Sequence, residues 1–81
     1  MPDDELDPAV LTFTANLRKA RERAGLTQEQ VALASGTPQA HYSRIETGKR
    51  DPGIRTLMRI AAALKTTPAD LLRDVQQTPG R

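Results

Sequence analysis

Glycines and prolines interrupt this chain at short intervals, and between these interruptions apolar residues recur every three or four positions. Such spacing puts apolar side chains on one face of a helix, whereas no segment shows the alternation typical of a strand. A first helix is predicted from about Pro8 to Ala24. Pro8 suits the first helical turn, and Gly25 suits the left-handed position just after the last turn. The apolar stripe of this helix consists of Val10, Phe13, Leu17, Ala20 and Ala24.

The second predicted helix runs from about Gln28 to Ser35. Thr27 precedes it as an N-cap, and Gln30 completes a capping box. Gly36 ends it, and a third helix begins at residue 37 or 38 and runs to about Thr47. Only three or four residues separate the two helices, which is the arrangement of a helix-turn-helix. In that motif the second helix lies in the major groove of DNA.

Two more helices are predicted after a loop at residues 49–53. The fourth has an apolar face, and the fifth opens with a capping threonine, Thr67, and a first-turn proline, Pro68. The face of the fourth consists of Ile54, Leu57, Ile60, Ala61 and Leu64, and the fifth carries Leu71, Leu72 and Val75. The expected fold is therefore all-α, a compact bundle of five short helices that contains a helix-turn-helix.

The chain has 81 residues, which is enough for one small domain. Its charge is divided unevenly. Four acids lie in the first eight residues, and all 12 Lys and Arg follow them, against the other six of the ten acids. We therefore expect a disordered acidic arm at residues 1–7, a helix-turn-helix domain at 8–75 and a flexible tail at 76–81. The basic domain favours a polyanionic partner.

Composition excludes several other classes of protein. The chain has no cysteine and one histidine, so we expect no disulfide, no metal site and no cofactor. The acidic N-terminus is unlike a signal peptide, and the longest apolar run, Ile60–Leu64, is too short to cross a membrane; we expect a cytoplasmic protein. An enzyme is not expected either. His41 and Ser43 lie two residues apart on one helix and point away from each other, so they cannot share a proton.

Four blocks of the segment from Leu17 to Leu72 carry a family resemblance. They are Gly25-Leu26-Thr27-Gln28-Glu29, Ser43-Arg44-Ile45-Glu46, Gly48-Lys49-Arg50 with Pro52, and Leu57 to Leu64. In this order and at this spacing they resemble the phage-repressor and Cro-like helix-turn-helix family, also called the xenobiotic-response-element type. The resemblance implies a regulator of transcription whose partner is double-stranded DNA.

The resemblance also implies roles for single residues. Gln39, Ala40 and Arg44 match positions that meet base edges, and Gln28, Ser43, Lys49 and Arg50 match positions that contact the DNA backbone. His41 is a further candidate for DNA contact. Arg21 and Glu46 match a largely buried ion pair that ties the first helix to the end of the third. The chemistry agrees, since glutamine can bridge adenine N6 and N7, and arginine can bind guanine O6 and N7.

Three residues depart from the family pattern. Pro38 stands where a capping serine is frequent, so the third helix takes its cap from Thr37 or has none. Tyr42 replaces the usual isoleucine, and its hydroxyl must find a partner or reach the edge of the bundle. Lys65 stands where glycine is frequent. None of these changes removes the scaffold.

Two functions are compatible with these residues. The first is a homodimeric transcriptional regulator that acts on a near-palindromic operator, as a small repressor or a restriction–modification controller does. Its predicted dimer interface is the apolar set that exceeds what one small core consumes, namely Leu64, Leu71, Leu72 and Val75. The second is an adaptor or antitoxin whose main partner is another protein. The intact set of predicted DNA contacts favours the first.

Overall fold

Five α-helices account for most of residues 7–76, the part of the chain that the computed structural model describes. They are α1 (Pro8–Ala24), α2 (Gln28–Ser35), α3 (Gln39–Glu46), α4 (Gly53–Ala63) and α5 (Pro68–Leu71). No strand occurs within residues 7–76. The prediction of an all-α bundle of five short helices is confirmed. Residues 1–6 of the predicted arm and 77–81 of the predicted tail lie outside the described residues.

The start of α1 corrects one predicted boundary. Asp7, which we assigned to the acidic arm, is the N-cap of α1, and its Oδ1 accepts a hydrogen bond from the Ala9 N–H at 2.8 Å. A capping carboxylate satisfies one of the donors that a helix N-terminus leaves open. Asp7 therefore belongs to the helical domain.

The predicted caps of α2 are present, whereas α3 begins later than expected. Thr27 Oγ1 accepts from the Gln30 N–H at 3.1 Å, and Gln30 Oε1 accepts from the Thr27 N–H at 2.8 Å. At α3 the N-cap is Pro38, which is extended (φ −55°, ψ 140°) and has no capping side chain. The hydroxyl of Thr37 accepts a hydrogen bond from Ser35 instead. Of the two alternatives, α3 has no side-chain cap.

The last helix is shorter than predicted. It ends at Leu71, so Leu72 and Val75 are not on one helical face with it. Asn16 of α1 explains the early end, because its Nδ2 donates to the Leu71 carbonyl at 3.0 Å and to the Arg73 carbonyl at 2.8 Å. In a longer helix the Leu71 carbonyl would accept from the Val75 N–H, which donates to the Leu72 carbonyl at 3.0 Å instead.

One core is shared by all five helices. It consists of apolar residues that are at most 8% exposed, with Leu17, Val31, Tyr42, Ile45 and Ile60 completely buried. α2 packs against α3 and α4, and α1 packs against α3 and α5. Ile54 corrects the predicted face of α4, since 68% of it is exposed. It lies in the first turn of α4, which extends past the core that buries Leu57.

A substitution at Gly36 tests the turn that joins α2 to α3. Gly36 has a φ of 68°, and a β-carbon there would meet no atom within 4 Å. Gly36→Ala therefore adds only the backbone cost of a left-handed residue, about 1–2 kcal/mol of unfolding free energy, measured in urea. Gly36→Asn is the control, because asparagine tolerates this conformation and should cost less. Equal stability of both variants and the parent would contradict the account.

Candidate nucleic-acid interface

The turn between α2 and α3 fixes how the two helices meet. At Gly36 the chain reverses, and the Thr37 N–H donates to the Ala32 carbonyl at 2.9 Å while the Gly36 N–H donates to Leu33 at 3.2 Å. These bonds satisfy the last carbonyls of α2. Ser35 Oγ donates to Thr37 Oγ1 at 3.0 Å, and both side chains are buried. The turn is held from inside, so α3 leaves α2 in a fixed direction.

α3 has one face in the core and one face in solvent. Its buried residues are Tyr42, Ile45 and Glu46. The three residues predicted to meet base edges, Gln39, Ala40 and Arg44, are all exposed. Ser43, which is predicted to contact the DNA backbone, is partly exposed. The structure thus brings the predicted reading residues together on one surface of an eight-residue helix.

His41 is turned further into the protein than Gln39, Ala40 and Arg44. The side chain is only partly exposed, and Nε2 is buried without a hydrogen-bond partner among the described residues. Only the other ring nitrogen is left to contact DNA. This makes His41 a weaker candidate for a DNA contact than Gln39 or Arg44.

The loop after α3 carries the two basic residues predicted to contact the DNA backbone. Lys49 and Arg50 are exposed. Gly48 has a φ of 81°, and the Lys49 N–H donates to the Arg44 carbonyl at 2.8 Å. The hydrogen bond keeps the start of the loop against the end of α3.

A buried carboxylate, that of Glu46, connects the helices that carry this surface. Glu46 is 1% exposed and accepts four hydrogen bonds. Arg21 donates Nε to Oε1 and Nη2 to Oε2, both at 2.9 Å. Tyr42 Oη donates to Oε1 at 2.7 Å, and Gln28 Nε2 donates to Oε2 at 3.0 Å. Arg21, Gln28, Tyr42 and Glu46 together form the Glu46 network.

The Glu46 network joins three helices and one loop. Arg21 lies on α1, Gln28 is the first residue of α2, and Tyr42 and Glu46 lie on α3. Arg21 also donates Nη1 to the Leu26 carbonyl at 3.0 Å, in the loop between α1 and α2. The carboxylate thus has as many donors as its lone pairs accept, and the position of α3 is tied to both preceding helices.

The network keeps Glu46 ionised. Burial acts to raise the pKa of Glu46, but the hydrogen bonds from Arg21, Tyr42 and Gln28 outweigh it and hold the pKa below its ordinary value. The pKa of Arg21 is raised, chiefly by its hydrogen bond to Glu46. A carboxyl group with a lowered folded-state pKa stabilises the fold above its unfolded pKa of about 4.3, and this stability is lost as the pH falls through the folded-state value.

Sequence reasoning missed two members of the network. Tyr42 was expected to need a partner, but the partner was not identified; it lies four residues later on the same helix, a spacing at which side chains meet. Gln28 was assigned to a DNA phosphate alone, and its bond to Glu46 depends on how α2 packs against α3. No sequence pattern reports that packing.

Two of the four residues predicted to form the dimer interface are buried inside the single molecule. Leu64 and Leu71 are 5% and 1% exposed, because the core of the single molecule consumes them. Leu72 is 41% exposed and Val75 is partly exposed. These two border an apolar groove whose other lining residues include Val10, Phe13, Pro52 and Leu57.

Within residues 7–76, no group of three or more His, Cys, Asp or Glu side chains is arranged to hold a metal ion. None of the helices described is both long and apolar enough to cross a membrane.

Comparison with known proteins places this geometry in a family. Residues 17–71 match a helix-turn-helix family model. The chain is 37% identical over 65 residues to y4dJ, an uncharacterized HTH-type transcriptional regulator of Sinorhizobium fredii, a match that covers 80% of this chain and 84% of that protein. It is 34% identical over 68 residues to the control protein C.MunI of a Mycoplasma species, covering 83% of this chain and 92% of C.MunI.

A solved structure agrees with these matches. The restriction-modification controller protein C.AhdI from Aeromonas hydrophila superposes with a TM-score of 0.73 at 31% identity, over 76% of this chain and 94% of that one. The chain belongs to the helix-turn-helix family of DNA-binding transcriptional regulators, as the resemblance of its four sequence blocks implied. Members of this family are regulators and not enzymes.

Removing the central carboxylate tests the Glu46 network. Glu46→Ala leaves Arg21 as an uncompensated, largely buried charge, which costs about 3–5 kcal/mol of unfolding free energy. Since a domain is held by only about 5–15 kcal/mol, the variant should be close to unfolding. The control is Glu22→Ala, at an exposed position of α1, with an expected change within about 0.5 kcal/mol. Urea melts of equal midpoint for both variants would show that the network does not hold the fold.

Proposed function

We propose that this chain regulates transcription as a homodimer that binds a near-palindromic DNA site, with one copy of α3 in the major groove of each half-site. The observation that carries the proposal is the division of α3 into an anchored face and an exposed polar face. Tyr42, Ile45 and Glu46 anchor it, and Gln39, Ala40 and Arg44 are exposed. A helix with this division packs one face in the core and leaves the other face available to contact a partner.

The exposed face of α3 has the chemistry of base recognition. Gln39 can bridge adenine N6 and N7, and Arg44 can donate two hydrogen bonds to guanine O6 and N7. Ala40 offers only a methyl group, which suits a thymine methyl. Sequence readout therefore depends mainly on Gln39 and Arg44.

Four residues around this face are proposed to hold the DNA backbone. Lys49 and Arg50 supply charge from the loop, and Ser43 supplies a hydroxyl from the side of α3. Gln28 uses one amide hydrogen for Glu46 and has a second one available, because an amide nitrogen carries two. Phosphate contacts of this kind position a protein on DNA without reading its sequence.

A dimer is proposed because one helix-turn-helix unit makes few contacts, and two-fold pairing doubles them. Of the predicted interface, Leu72 and Val75 have surface to offer. They lie at the apolar groove, which gives a partner copy a place to bury them. The similarity to two control proteins, C.MunI and C.AhdI, supports a regulator built on this small domain.

Two substitutions separate base reading from backbone binding. Arg44→Ala should weaken a selected site by about 1–3 kcal/mol and relax its preference chiefly at one position in each half-site. Lys49→Ala should weaken selected and random DNA equally and lower the slope of log affinity against log salt by about one. Binding titrations on both DNAs at several salt concentrations measure this. If the two effects are exchanged, the roles are reversed; if neither variant changes DNA binding, the adaptor function replaces this proposal.

The dimer is tested by sedimentation without DNA. Leu72→Asp puts a charge at the proposed interface and should shift the protein from dimer to monomer at micromolar concentration. Leu33→Asp is the matched control, since Leu33 is 84% exposed on α2 and should leave the dimer intact. A parent protein that sediments as a monomer would count against the dimer, and equal effects of both variants would place the interface elsewhere.

A further inference from the structure

One more cation lies beside the Glu46 network and is not a member of it. Arg18, on α1, has a side chain that is 53% exposed, and its Nε lies 3.9 Å from Oε2 of Glu46. That distance is too long for a hydrogen bond. The oxygen that it approaches already accepts from Arg21 and Gln28.

Glu46 has no capacity left for Arg18. Its two oxygens already accept four hydrogen bonds, which is the number that their lone pairs allow. Its single negative charge is balanced by Arg21, which donates to both oxygens. Among the described residues, Arg18 has no other acid within ion-pair distance. Arg18 therefore brings surplus positive charge to the edge where α2 begins.

We propose that Arg18 and Gln28 together bind one phosphate of the DNA backbone, with Glu46 holding the two side chains next to each other. Both approach the same oxygen of Glu46, so Arg18 Nε and Gln28 Nε2 are no more than about 7 Å apart. Two hydrogen bonds of about 2.7–2.9 Å to different oxygens of one phosphate span such a gap. This inference rests on the proposed function, because its ligand is DNA.

Glu46 also fixes the orientation of the Gln28 side-chain amide. The amide nitrogen faces Glu46 and donates to it. The reverse orientation would place the amide oxygen against an ionised carboxylate, and both of these groups are hydrogen-bond acceptors with no hydrogen to donate. The second hydrogen on the nitrogen therefore stays available to an anion, and the Arg18 guanidinium lies beside it.

A phosphate fits this pair better than a base. Neither residue is on α3: Arg18 lies on α1, and Gln28 is the first residue of α2. In a helix-turn-helix the first helix of the motif crosses the DNA backbone while the second enters the groove. An exposed guanidinium and an amide donor at that crossing meet phosphate oxygens, and these carry no sequence information.

The chain offers a matched control in the adjacent residue. Lys19 has the same charge as Arg18 and is also exposed, but it lies on the side of α1 that faces α5, in a shallow polar pocket with Asp70 and Arg73. Consecutive residues of an α-helix project about 100° apart, so the Lys19 side chain is directed away from that of Arg18. Loss of Lys19 thus removes one unit of net charge without touching the proposed phosphate site.

The experiment compares the salt dependence of DNA affinity for the parent, Arg18→Gln and Lys19→Gln, on a selected site and on random duplex DNA. Arg18→Gln should lower the slope of log affinity against log salt by about one and weaken both DNAs by the same factor. Lys19→Gln should leave the slope unchanged. Arg18→Lys should restore most of the slope, because it returns the charge. The melting temperature of Arg18→Gln should stay close to that of the parent, since Arg18 is half-exposed and makes no hydrogen bond to Glu46.

Each failure has its own signature. Equal slopes for Arg18→Gln and the parent, or equal losses in Arg18→Gln and Lys19→Gln, overturn the phosphate assignment of Arg18. A change in base preference in Arg18→Gln overturns it too, because it would make Arg18 a base contact. If the parent itself shows no salt-dependent binding to any duplex, the proposed function fails, and the test of Arg18 fails with it for that separate reason.

Discussion

The arrangement of this small protein depends on one buried carboxylate. Glu46 takes hydrogen bonds from α1, α2 and its own helix, and without it Arg21 would be a stranded charge. A buried ion pair gains little net stability over an apolar packing of the same size, because removing both charges from water costs so much. Its effect here is geometric. Donors with fixed directions hold α3 at one angle to the helices that precede it, which apolar contacts alone specify less sharply.

That geometry links the core to the candidate DNA surface. On α3, Tyr42 and Glu46 face inward while Arg44, between them, faces out. A change in the anchored face therefore moves the exposed one. Gln28 belongs to both sides, since it donates to Glu46 and begins the helix proposed to meet the backbone. The same bonds that fix the fold thus pre-organise the groups that would contact DNA, which lowers the entropy lost on binding.

Much of the fold was predictable from local signals, because caps, glycine stops and apolar spacing are short-range chemistry. The capping box at Thr27 and the end of α2 at Gly36 appear where the sequence placed them. The errors arose where a distant residue decides. Asn16 ends α5 early through hydrogen bonds to carbonyls 55 and 57 residues away. The core also buries Leu64 and Leu71, which were predicted to form a dimer interface. The partner of Tyr42 was within reach of sequence reasoning, whereas that of Gln28 depends on packing.

The central claim is that α3 reads DNA from the major groove, and methylation interference tests it most directly. Dimethyl sulfate methylates guanine N7 in the major groove and adenine N3 in the minor groove. On a site selected from random DNA, guanine N7 methylation in each half-site should block binding, and adenine N3 methylation at the same half-sites should not. Interference from adenine N3 alone, or from neither position, would contradict a major-groove role for α3.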